Sequence, residues 1–217
     1  MNYLTRKDMD YGKWAFFALM AACVLLVIFV DERFVFMPAD QEWKHIQPFK
    51  WLLLVHGPLG AVALCCGPLQ FSDTVRRTRP VWHRWIGRIY IAAIAISAPM
   101  AAWIGFHFEP ATIRIEQLFQ AGGWFLTTAI ALLCILNRDL VRHKVWMMRS
   151  YGFCLVFVLS RVPDAFPKEF HWTNQVLADA LWGLVVTALI APEIFLIVRD
   201  AVAQTADKDS LKSVAAG

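Results

Sequence analysis

Charge along this chain is confined to short runs, and long apolar stretches lie between them. Residues 14–30 form one such stretch, seventeen positions without a formal charge, closed by Asp31-Glu32-Arg33. A bilayer span needs about 20 mostly apolar residues, so the pattern points to lipid rather than water as the solvent for most of the chain. Composition agrees. Of 217 residues 59% are hydrophobic and only 18% are charged, whereas soluble domains carry about 25% charged residues. Six spans would use nearly the whole hydrophobic inventory and leave no room for a soluble catalytic domain.

The remaining spans read as 49–71, 86–106, 119–136, 146–162 and 176–198, which predicts an all-α, polytopic transmembrane helical bundle of about six spans. Residues 1–13 and 199–217 are then tails, the second polar, rich in small residues and expected to be disordered. The fifth span is the weakest, because Arg149 and Arg161 sit inside its limits; long arginine side chains near span ends reach the interface. Span one is at the long end for the apolar region of a signal peptide and lacks a clear small-residue cleavage site, which argues for a retained span. Ala21-Ala22-Cys23 has a lipoprotein-like look, but 24–30 continue the apolar run.

Lys and Arg on alternate sides of these spans divide 15 to 6, with the tails, the second loop and the fourth loop on the richer side. The positive-inside rule then places both termini in the cytoplasm. The net charge of +4 is a topology signal facing anionic headgroups of the bilayer, not a nucleic-acid footprint. Cys23, Cys65, Cys66, Cys134 and Cys154 lie within spans as small apolar residues, without the spacing of disulfides or structural zinc. Trp43, Trp51, Trp82, Trp85, Trp124, Trp146 and Trp172 fall near span ends as interfacial anchors.

A short repeat runs through the basic loops. His83-Arg84-Trp85-Ile86-Gly87-Arg88-Ile89-Tyr90 recurs, with one insertion, as His143-Lys144-Val145-Trp146-Met147-Met148-Arg149-Ser150-Tyr151. Spans two and three would form one helical hairpin and spans four and five a second in the same orientation; chance likeness of two basic, aromatic interfaces is the competing explanation.

Few residues are left for chemistry. His56 lies in span two beside Gly57-Pro58, where Pro58 cannot donate to the carbonyl of Leu54. It is a candidate ligand or proton site, or a neutral histidine bonded to a neighbouring helix. His83 and His143, the repeat pair, are candidates for binding a metal or haem, or for proton exchange. Met147 and Met148 offer a thioether near His143. Arg88 and Arg149 suit propionates or an anionic headgroup. His45, His107 and His171 belong to the outer loops. Arg161, Asp179 and Glu193 are charges in or at the spans; Glu193 has Arg88 or Arg149 as prospective partners, and Asp164 offers itself to Arg161. No span carries the two histidines about 13 residues apart that a two-haem cytochrome uses. A single haem b or a quinone pocket stays open, and so do a transporter and a ligand-free scaffold. Partner subunits for electron transfer or transport are expected accordingly. Phosphate loops, zinc-protease helices and nucleophile elbows are absent from the sequence.

With Cys66-Gly67-Pro68-Leu69-Gln70-Phe71 and both copies of the histidine motif in order, the chain resembles the predicted bacterial membrane proteins catalogued as domain of unknown function 2306. The likeness covers about residues 50–200. It implies a multi-pass inner-membrane protein and draws attention to His56, His83 and His143, while implying no activity.

Overall fold

The structure, a computed structural model, describes residues 6–26, 46–161 and 173–215. Seven helices occupy them: α1 (Arg6–Leu26), α2 (Lys50–Gln70), α3 (Asp73–Thr78), α4 (Pro80–Phe108), α5 (Ala111–Leu136), α6 (Leu140–Arg161) and α7 (Asn174–Ala215). Among the described residues there is no strand. His45 and His171, the end of the expected first span and Asp164 lie outside these residues.

Local chemistry sets the boundaries. Ser72 caps α3 by accepting the Val75 N–H at 3.3 Å, and Pro80 opens α4 at its first position, where a missing N–H costs nothing. The turn after α5 closes on Arg138 in the left-handed region, φ 61°. Asp139 then accepts the Arg142 N–H at 2.9 Å. Helices α4, α5 and α6 begin six to eight residues before the apolar runs that predict them. Their charged first turns are helical too, since a helix can extend beyond the hydrocarbon it crosses. The stretch 199–215, expected to be a disordered tail, continues α7 as helix; Ala-rich sequence favours that conformation.

Among the described residues, four helices are long and apolar enough to cross a membrane: α2, α4, α5 and residues 175–198 of α7. Large apolar side chains such as Trp51, Leu126, Ile194 and Ile197 point outward from them, as a lipid-facing surface requires. Neighbouring helices pack in sequence, α2 on α4, α4 on α5, α5 on α6 and α6 on α7. Helix α6 also touches α1 and α2 and is the hub of the bundle. Tyr90, Ile94, Trp124, Phe153, Val156 and Val185 form its buried centre.

Close approach is made possible by small residues, since helices in lipid associate through packing rather than water exclusion. Gly67 lies against the Tyr151 ring, Gly123 against Phe153, and Gly152 against the Ala188 carbonyl.

The bundle has two distinct ends. Gln70, α3, the start of α4 and the α5–α6 turn share the basic end, with Arg76, Arg77, Arg79, Arg84, Arg138, Arg142 and Lys144. The opposite end is closed by Phe49 and Phe108, whose ring centroids are 4.7 Å apart, with Ile46 and Ile104 beside them.

Candidate functional site

Apart from Glu116 and Gln120 of α5, the polar side chains that join helices inside the bundle fall into three layers. The first, toward the opposite end, joins α2 to α4. His56 is buried there, and its Nδ1 lies 2.8 Å from Ser97 Oγ and 3.1 Å from the Ser97 carbonyl. Because a carbonyl only accepts, Nδ1 carries the hydrogen. Ser97 Oγ in turn donates to the His56 carbonyl at 3.3 Å. The imidazole also packs on Phe157 of α6, centroids 5.0 Å apart. His56 is thus a fastener among three helices. Ser97→Ala removes the hydroxyl side of this exchange, and we expect a stability loss of about 0.6–1 kcal/mol. A melting curve of the purified protein indistinguishable from wild type would show that the exchange holds nothing.

The second layer is at mid-height. Tyr90 OH and Ser150 Oγ are 2.8 Å apart, and Ser150 Oγ and Thr128 Oγ1 are 2.7 Å apart. Thr128 donates onward to the Trp124 carbonyl at 2.7 Å. Three hydroxyls from α4, α5 and α6 thereby form one chain, fully enclosed by the core. Tyr151, the next residue, donates to the Leu64 carbonyl at 3.1 Å and ties α6 to α2.

The third layer is the histidine pair at the basic end. His83 has His143 and Arg76 within electrostatic reach. His143 donates from Nδ1 to the Ala131 carbonyl at 2.9 Å, which leaves the lone pair of Nε2 as an acceptor. His83 is held differently: Gln70 Nε2 donates to its backbone carbonyl at 2.7 Å, and its Nδ1 is buried without a partner among the described residues. The two histidines stand in one register, offset by sixty residues, the same offset that separates the bonded pair Tyr90 and Ser150.

His56 is therefore not part of one ligand set with His83 and His143. It lies six residues along α2 from Lys50, whereas His83 adjoins Gln70 at the other end of that helix. At 1.5 Å rise per residue the gap is about 20 Å. Among the described residues no group of three His, Cys, Asp or Glu side chains converges on a point.

The arginines are engaged locally. Arg88 lies over Trp85, 5.0 Å from guanidinium carbon to centroid, and Arg149 lies over Trp146 at 4.3 Å. Each arginine of the repeated motif thus stacks on the tryptophan three residues before it. Arg149 also donates from Nε to Glu193 Oε1 at 2.7 Å, with a second, shorter bond from its terminal nitrogen. Of the two partners foreseen for Glu193, the structure takes Arg149 and leaves Arg88 on the surface. Asp179 is exposed and accepts from Gln175 Nε2 at 2.9 Å. Arg161 ends α6, and its side chain is outside the described residues. His107 stacks on Trp103 at 3.9 Å.

Sequence reasoning missed Ser97, Tyr90, Ser150, Thr128, Glu116 and Gln120. The last two were available as a signal: Glu116, Gln120, Trp124 and Thr128 recur every fourth residue and so line one face of α5. Starting the fourth span at 119 put Glu116 outside it.

Neither a curated protein nor a solved structure matches the chain. The family described as Predicted membrane protein (DUF2306) does, over residues 53–196. That match begins just before His56, takes in all three polar layers and ends beyond Glu193. By this extent of agreement the chain belongs to that family of predicted membrane proteins of unknown function.

Proposed function

We propose that the chain is a six-span inner-membrane protein that holds a redox cofactor between His83 and His143 at its cytoplasmic end. The observation that carries this reading is that these two imidazoles lie within electrostatic reach of each other at the basic end of α4 and α6, with the Nδ1–H of His143 tied to a carbonyl. That tautomer presents Nε2 as a Lewis base. It suits the iron of a haem b better than the carbonyl of a quinone, which needs a donor. The shared cation–π stacking of Arg88 and Arg149 supports the view that the two basic interfaces are repeats. In this topology α1 and α6 complete the spans, and the basic end, rich in arginine, is the cytoplasmic one.

A haem there would supply one-electron transfer. The chain's own part would be to ligate from two helices, to meet propionates with the arginines of segment 76–84, and to keep the hydroxyl chain of Tyr90, Ser150 and Thr128 above the site. The transport reading rests on His56 and Glu193, and both side chains are spoken for by packing partners.

The purified protein is expected to show a Soret band that shifts on reduction with dithionite. His83→Ala and His143→Ala should each abolish the band, while His56→Ala retains it. A preparation with neither the band nor bound quinone would overturn the proposal.

A further inference from the structure

Helix α5 carries a carboxyl group that no described contact explains. Glu116 is completely buried, and neither of its oxygens has a hydrogen-bond partner among the described residues. One turn deeper on the same face, Gln120 is 6% exposed and its amide nitrogen is also unpartnered. None of the described titratable groups at this end of the neighbouring elements bonds to the Glu116 carboxyl group, although the Arg114 Nε is buried and also without a partner among the described residues; the side chain of Arg161, which ends α6, is outside those residues. Arg114 donates to the Glu109 carbonyl at 3.1 Å and lies over the Phe106 ring. His107 of α4 is stacked on Trp103, and Asp179 of α7 bonds to Gln175.

A buried ionised carboxylate without a partner costs several kcal/mol, and a helix that needed only packing here would be served better by leucine. What glutamate adds is a proton that can come and go. The position also allows exchange with water. Glu116 is five residues from the start of α5, about 8 Å along the axis from the end of the helix. Gln120, at i+4, has a free N–H to offer the carboxylate when the proton leaves.

We infer that Glu116 and Gln120 form a proton-binding site at the end of the bundle opposite His83 and His143, loaded from the aqueous phase on that side. Loading converts the Glu116 carboxylate and one aqueous proton into the neutral acid; unloading reverses this, with the Gln120 amide turning to donate to the anion. The site does not depend on the cofactor reading, since it involves other residues at the other end of the molecule.

The test is infrared spectroscopy of the full chain in lipid nanodiscs. At neutral pH wild type should show the carbonyl stretch of a protonated carboxyl group, moved by exchange into heavy water and absent from Glu116→Gln. Glu116→Asp, which keeps the acid if glutamine disturbs folding, should retain the band at a shifted frequency. The Soret band, where present, should be unaltered in both variants. Three results would overturn the inference: no such band in wild type, a band that survives in Glu116→Gln, or a band that sodium abolishes at constant pH, which would make this a cation site.

Discussion

Gly67→Leu is expected to yield no monodisperse protein, and Gly67→Ala a protein that melts well below wild type. A Cβ at this position would overlap Cε2 and Cζ of the Tyr151 ring. The ring has no room to retreat. Its hydroxyl is bonded to the Leu64 carbonyl, and Phe17 and Phe71 meet it edge-on with centroids 6.3 and 5.4 Å away. Overpacking of this kind costs about 1–3 kcal/mol for small additions. Gly57 and Gly60 of the same helix have open space around them, so Gly57→Ala serves as a matched control that leaves melting unchanged. Pairing Gly67→Ala with Tyr151→Leu removes the ring and should recover stability. Equal melting temperatures for Gly67→Ala and Gly57→Ala would mean that α2 and α6 do not meet as described.

The second large effect belongs to Arg149 and Glu193. Glu193→Ala leaves the Arg149 guanidinium without its carboxylate in a region of low dielectric. Losing one partner of a buried pair costs about 3–5 kcal/mol. With the Glu193 side chain 44% exposed, about 2 kcal/mol is the expected loss. Arg149→Ala should cost a similar amount and also lose the stacking on Trp146. The exchanged double variant, Arg149→Glu with Glu193→Arg, should recover most of the stability that either single variant loses. If it melts no higher than Glu193→Ala, the two charges are not coupled and α6 and α7 are joined by other contacts.

The all-helical character was legible from charge spacing alone, because a bilayer imposes one length and one polarity on whatever crosses it. The partner of Glu193 was legible to within two arginines. The buried layers were not. A serine such as Ser97 carries no periodic signature, and nothing in the sequence distinguishes it from a small residue that merely lets helices approach. Glu116 was hidden for the opposite reason: a formal charge was taken as the limit of a span, which is right for lipid-facing positions and wrong for those that face protein. The pairing of His83 with His143 was visible only as a repeated motif, and the tautomer of His143 depends on the Ala131 carbonyl, which belongs to a different helix.

Helix α6 makes the same point on a larger scale. Its sequence is the least apolar of the long helices in the family core, yet it is the hub around which α1, α2, α5 and α7 are arranged. A helix enclosed by protein is relieved of the need to be soluble in lipid, and Arg149 finds its counter-charge only on α7, which is synthesised later. An arginine at the centre of a span costs the insertion machinery about 2.5–3.5 kcal/mol, and one near a span end, as Arg149 is, costs less. In the proposed six-span topology, membrane entry of α6 would therefore be a cooperative event: it would be completed only when α7 emerges and Glu193 supplies the counter-charge of Arg149.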